Sequence, residues 1–272
     1  MTMMLTFPRF LAPLCLLIVP CLGSAHDVWL QTDSPIVRTG ENVQVDLRLG
    51  NHGNHHRDFK LAGRVTVDWV SLDHRAPDGT RNDLRKQLFA TASAEKEGYW
   101  TTPIAVSQPG VHCVVQSLQR VMNHGRPVRS VRTAKTYFLV ADSLDSASVD
   151  QPIHSQPDGL PFELVLQSCP ISETVVGRPI TVVVLHHGKP LPDVVVSFIP
   201  EGQELSGEFD PEYEVRADDR GEANFVPDVG RRYLIVAHHK AEDERTDEYD
   251  YTSYASTITV HVANQTPWAM GN

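Results

Sequence analysis

The sequence predicts an all-β protein, two tandem β-sandwich domains behind a cleaved signal peptide. Three observations carry that expectation. Apolar residues recur with a period of two along nearly the whole chain, Gly and Pro interrupt those runs at strand-and-turn spacing, and no segment carries a helical stripe of useful length. The chain has 272 residues. At ~150 residues per domain, that length accommodates one large domain or two ordinary ones.

Residues 1–25 read as the leader. They carry one charge, Arg9, ahead of an apolar run from Phe10 to Leu22 that ends in Gly23-Ser24-Ala25. Small residues at that point suit a signal peptidase, and the run is too short for a membrane anchor. Cys21 follows Pro20, where a lipoprotein signal needs a small residue. A bacterial periplasmic or secreted location follows. The leader takes Cys15 and Cys21 with it, leaving Cys113 and Cys169. An oxidising compartment permits one disulfide, which would staple the two domains together.

Residues 26–141 form the expected N-terminal sandwich of about seven short strands, of the immunoglobulin-like kind. Val43, Val45, Leu47 and Leu49 alternate with Gln44, Asp46 and Arg48. Val65, Val67 and Trp69 repeat the pattern, as do Val111, Cys113 and Val115, and the segment Thr136 to Val140. Residues 142–160 hold Ser, Asp, Gln, Pro and Gly with few large apolar side chains, and read as a loose linker.

The second sandwich is expected over residues 161–264, with 265–272 as a tail. Ile180, Val182 and Val184 make one strand, and Val194, Val196 and Phe198 the next, across the turn Gly188 to Pro192. Asp218-Asp219-Arg220-Gly221 turns into a strand through Ala223 and Phe225. Tyr233 to His239 and Ser256 to Val262 close the set.

Composition narrows the function. A formal net charge of −10 argues against a nucleic-acid backbone as partner. No apolar run after the leader is long enough to span a bilayer, so no transmembrane anchor is expected. A Gly-x-Ser-x-Gly elbow, a Walker loop, a dinucleotide-binding glycine fingerprint, His-Glu-x-x-His and Cys-x-x-Cys do not occur, and nothing points to an enzyme.

The 13 histidines carry the chemistry. If Ala25 is the last leader residue, His26 becomes the N-terminus, and its α-amine and imidazole Nδ1 can chelate one ion. Such an amine loses its proton near ~7.7–8. Nitrogen donors suit copper, nickel or zinc. The alternative is a frayed terminus with no ligand role. Asn51-His52-Gly53-Asn54-His55-His56 places three imidazoles in a Gly-containing loop, where His52 and His55 can reach the same ion or remain on a polar surface. His186-His187 and His238-His239 each close a strand, so alternation sends the members of a pair to opposite faces. Which of His238 and His239 faces a ligand stays open. The acidic stretches Glu201 to Glu214 and Glu242 to Asp250 lack EF-hand spacing and read as solvated loops.

Ala25-His26-Asp27-Val28-Trp29-Leu30 after a leader, then Leu49-Gly50-Asn51-His52, resembles the opening of the NikM-like periplasmic domains, a largely uncharacterised bacterial family associated with nickel and cobalt uptake. Gly177-Arg178-Pro179-Ile180, Gly188 to Val194, Asp218 to Phe225 and Tyr233 to His239 resemble its C-terminal sandwich, whose turns recur in transthyretin-like modules. The resemblance implies His26 and His52 as metal ligands, with His238 or His239 as a third. It also implies an extracytoplasmic accessory protein that binds nickel, cobalt or copper for uptake or buffering, with a membrane metal transporter as a partner. The other reading is a non-enzymatic surface interaction module.

Overall fold

A computed structural model describes residues 26–50, 65–92, 98–123, 125–143 and 152–266. The leader, the loop carrying His52, His55 and His56, and most of the expected tail lie outside the described residues. The first strands are β1 (Asp27–Thr32), β2 (Ile36–Arg38), β3 (Asn42–Gly50), β4 (Val70–Arg75), β5 (Arg81–Asp83), β6 (Phe89–Ala90), β7 (Trp100–Ala105), β8 (Gly110–Asn123) and β9 (Pro127–Ala141). They are followed by β10 (Phe162–Leu166), β11 (Ile180–His186), β12 (Lys189–Pro190), β13 (Val195–Pro200), β14 (Glu214–Arg216), β15 (Glu222–Phe225), β16 (Arg232–Ala241) and β17 (Tyr251–His261). The described residues contain no α-helix, and none of their helical segments is long and apolar enough to cross a membrane.

The all-β expectation holds, with β-sandwich layers. One sheet has the order β1-β3-β7-β6, another joins β10, β12 and β15 to β11, and a nine-stranded sheet runs β14-β13-β16-β17-β9-β8-β4-β5 with β2 also on β9. The large sheet contains strands from both halves of the sequence. They meet where β17 runs parallel to β9, from Tyr251 opposite Val128 to Thr259 opposite Thr136. The two sandwiches therefore share a layer.

The reason is the composition of β8 and β9, which are apolar on both faces. Val111, Cys113, Val115, Tyr137 and Leu139 face a cluster with Phe162, Leu164 and Ile258. Val114, Leu118, Ala134, Phe138 and Val140 face the opposite way, against Val28, Leu30, Val43, Val45 and Leu47. A strand buried on both sides reads as a continuous apolar run rather than an alternating one. The segment expected as a linker also departs from a loose tether where it is described, since Ile153 and His154 are buried. Cys113 and Cys169 are buried and free, with no disulfide between them. Val67–Trp69, expected as strand, is a 3-10 turn. Its pairing partner in the sheet begins only at Val70, opposite Leu118.

Charge is buried at the same junction. Asp158, whose side chain is fully buried, meets Arg75 Nη1 at 3.0 Å, Arg81 Nη2 at 2.7 Å and Lys135 Nζ at 2.9 Å. Lys135 also contacts Glu163, whose Oε2 accepts from the backbone N–H groups of Gly159 and Leu160 at 3.1 Å. Each charge thus has an opposite partner, the condition under which ions survive burial.

A second buried polar pair, His74 and His112, stacks on Phe138. Nε2 of His74 lies 2.7 Å from Nδ1 of His112, and Nε2 of His112 lies 2.7 Å from the Gln108 carbonyl. Burial, followed by the neighbouring imidazole, lowers the His74 pKa from 6.5 to about 4. The fold holds this base neutral, so the unfolded chain binds protons first as pH falls. Stability is therefore full above about pH 6.5 and declines toward about pH 4, by an amount on the order of 3 kcal/mol for His74 alone. Urea unfolding midpoints across that range should show the loss, and His74→Phe should flatten it. An unchanged slope in that variant would assign the acid sensitivity elsewhere.

Candidate metal centre

β11 ends at His186, and the chain turns through His187 and Gly188 at positive φ of 49° and 74°. Leaving the extended region breaks strand alternation. His187 consequently swings to the side that His186 already faces, contrary to the expectation that the pair would point to opposite faces. The two rings lie 4.3 Å apart, centroid to centroid. β16 stays extended through Ala241, so its histidines do separate. His239 reaches this cluster, 4.9 Å from the His186 ring, while His238 points to Asp27.

The loop between β16 and β17 supplies Glu244. Its Oε1 lies 3.1 Å from His186 Nε2 and 3.0 Å from His187 Nε2. An ionised carboxylate only accepts, so both imidazoles donate to it. On its other side, Tyr254 donates to Oε2 at 2.6 Å, and Arg129 Nη1 stands 3.9 Å away. Phe162, fully buried, forms the floor, with ring centroids 5.6 Å from Tyr254 and 6.0 Å from His239.

Burial and hydrogen bonding bias His186 and His239 toward the neutral form and Glu244 toward the ionised one. Burial, then the charges that His187 and His239 would carry, lower the His186 pKa. Burial lowers that of His239 as well. Burial by itself would raise the Glu244 carboxyl, but hydrogen bonds from Tyr254 and His187 outweigh it and bring the group to about 2. Ligation through Nε2 of His186 or His187 would require the proton now donated to Glu244 to move to Nδ1, the other tautomer of the neutral ring.

The donor set fits a late divalent ion. Ligand atoms of His186, His187 and Glu244 all lie within 4.8 Å of one another, the only such group of three or more His, Cys, Asp or Glu among the described residues. Two donors on a tetrahedral ion with bonds of ~2.0–2.1 Å stand about 3.3 Å apart, close to the separations found here. Two nitrogens and one oxygen suit nickel, cobalt, copper or zinc better than calcium or magnesium.

The residues expected from the sequence are divided by this geometry. His26 is exposed immediately before β1 and, among the described residues, belongs to no three-ligand group. Its neighbour Asp27 carries an oxygen 2.7 Å from His238 Nε2, and that charge raises the His238 pKa. His52 and His55 lie outside the described residues. His239 borders the centre, and His238 faces away from it. The sequence reading missed Glu244, which lay in a stretch taken as a solvated loop, and the convergence of His186 with His187. The one signal available was the glycine after His187, which marks a turn where alternation lapses.

A family model described as a domain of unknown function, DUF4198, matches residues 23–241. No curated protein sequence matches the chain. Among solved structures, the D0-D1 domain of intimin is 14% identical with a TM-score of 0.26, over 85% of this chain and 97% of that one. The adhesin InvE of Yersinia pseudotuberculosis is 13% identical with a TM-score of 0.22, over 86% of this chain and 58% of that one. The fibronectin(III)-like modules of Clostridium thermocellum CbhA are 14% identical with a TM-score of 0.20, over 86% and 95%.

Proposed function

The chain belongs to the DUF4198 family, a domain of unknown function, and from that premise we propose that it is an extracytoplasmic transition-metal-binding protein. His186, His187 and Glu244 hold the ion, with His239 alongside. The observation that carries the reading is the convergence of those three ligand atoms within 4.8 Å. Tyr254 fixes the carboxylate, as outer partners commonly do for metal ligands. The resemblance to the NikM-like domains supports nickel or cobalt as cargo, a role in uptake or buffering, and transfer to a membrane transporter. The intrinsic affinity order favours copper. His26, freed by cleavage after Ala25, would form a separate N-terminal chelate, since it stands outside the three-ligand group.

Isothermal titration of nickel, cobalt and copper into the mature protein tests this reading. Wild-type protein should bind one ion at the centre, and His187→Ala should weaken that binding by about 100-fold or more. The His187 side chain is 54% exposed, so its loss leaves the fold intact. One extra alanine before His26 leaves this site unchanged and abolishes only an N-terminal chelate. Binding that survives His187→Ala and collapses in the extended variant would move the site to His26. No binding by any variant would leave the surface interaction module.

A further inference from the structure

The buried charges that join the two halves hold a lysine amine against two carboxyl groups. Lys135 on β9 and Glu163 on β10 have side chains 2% and 1% exposed, and that of Asp158, in the segment leading to β10, is 0% exposed. Nζ of Lys135 donates to Glu163 Oε1 at 2.5 Å and stands 2.9 Å from Asp158 Oδ2. One C–O bond of about 1.2 Å separates that oxygen from Cγ, so the amine lies within ~4.1 Å of the carboxyl carbon. The two oxygens of Asp158 differ. Oδ1 faces Nη1 of Arg75 at 3.0 Å and Nη2 of Arg81 at 2.7 Å. Oδ2 accepts no hydrogen bond among the described residues, because its contact with Lys135 lacks hydrogen-bond alignment.

We propose that Lys135 and Asp158 condense within the fold to an internal amide, with Glu163 carrying the proton. Glu163 Oε1 takes a proton from the ammonium, and the neutral Nζ forms a bond to Cγ of Asp158. Negative charge gathering on Oδ1 is met by the two guanidiniums already placed there. Oδ2, which no hydrogen bond retains, is the oxygen that leaves. The Cγ–Oδ2 bond breaks, and both protons lost by nitrogen depart with that oxygen as water, one of them by way of Glu163. Ammonium and carboxylate are consumed together, so the net charge of the cluster is unchanged and Glu163 ends as it began. Glu163 is not the acyl partner, since its Oε1 accepts from the backbone N–H of Asp158 and its Oε2 from those of Gly159 and Leu160. Groups held in register by a fold react at effective concentrations of ~10⁵–10⁸ M. A neutral amide also removes the desolvation that a buried ion pair must offset, and exclusion of water protects it from hydrolysis.

Intact mass spectrometry of the denatured mature protein tests the bond. Wild type should weigh one water less than its sequence requires. Trypsin should fail to cut after Lys135, whose amine is acylated, and fragment spectra should join Lys135 to Asp158. Lys135→Met and Glu163→Gln should each weigh their full sequence mass, the first lacking the amine and the second the base. Wild type at full mass, with tryptic cutting after Lys135, would overturn the proposal and leave an ion network. So would a missing water that persists in Lys135→Met, a link from Lys135 to Glu163, or a link that forms in Glu163→Gln as fully as in wild type. The wild-type mass decides by itself, so a variant that fails to fold does not weaken the test.

Discussion

Asp158→Ala is expected to lower the unfolding free energy by about 3–5 kcal/mol, the cost of leaving buried charges without their partner. The carboxylate is fully buried and engages Arg75, Arg81 and Lys135 at once. Without it, Lys135 keeps only Glu163, and Arg75 and Arg81 lose the carboxylate they share. Arg81 is 44% exposed and can turn outward, whereas Arg75 and Lys135 are 5% and 2% exposed and cannot. Burial alone would raise the Asp158 pKa, but Lys135 and Arg75 outweigh it and hold the carboxyl below its ordinary value. The Asp158 carboxyl is therefore ionised in the fold. Because the loss is one of desolvated charge, added salt should not restore it, as screening acts mainly on exposed pairs. Chemical denaturation followed by far-ultraviolet circular dichroism measures the effect. A loss under about 1 kcal/mol would show that the cluster relaxes to solvent and does not hold the 152–160 segment in place.

Phe162→Ala should cost a comparable ~3–5 kcal/mol, the usual range for truncating a buried aromatic. Phe162 is 0% exposed in the larger core cluster, and its ring underlies His186, His239 and Tyr254 at centroid distances of 6.4, 6.0 and 5.6 Å. The cavity left behind removes the floor against which three side chains of the metal centre are packed. Nickel affinity should fall together with stability, although Phe162 offers no ligand atom. Phe162→Leu keeps most of the buried volume and should recover most of the stability. Thermal unfolding and nickel titration of both variants separate the two effects. If Phe162→Ala loses stability while its nickel affinity stays at the wild-type value, the centre is held by its hydrogen bonds to Glu244 and not by the core below.

The arrangement links core and site through neighbouring residues. Thr133 Oγ1 donates to the Phe162 carbonyl at 2.8 Å, and Glu163, next in sequence, anchors the ion network beside Lys135. β10 therefore ties the buried charges, the apolar cluster and the His186–His187–Glu244 group into one unit.

The sequence by itself determined the all-β class and the longest strands, because period-two alternation records which face of a strand is buried. Val43, Val45 and Leu47, and Ile180, Val182 and Val184, are all 0% exposed as that pattern requires. The sharing of a sheet between the two halves was decided by tertiary structure. The apolar residues on both faces of β9 report double burial without naming the partner, and β17 pairs with it from over a hundred residues away. The convergence of the candidate site was decided there too. Two histidines adjacent in sequence converge only because His187 leaves the extended backbone at φ 49°, and Glu244 joins them from a loop 58 residues beyond His186. Alternation is a local rule that holds only while the chain stays extended. A site assembled at a turn, from segments distant in sequence, lies outside what a local rule can record.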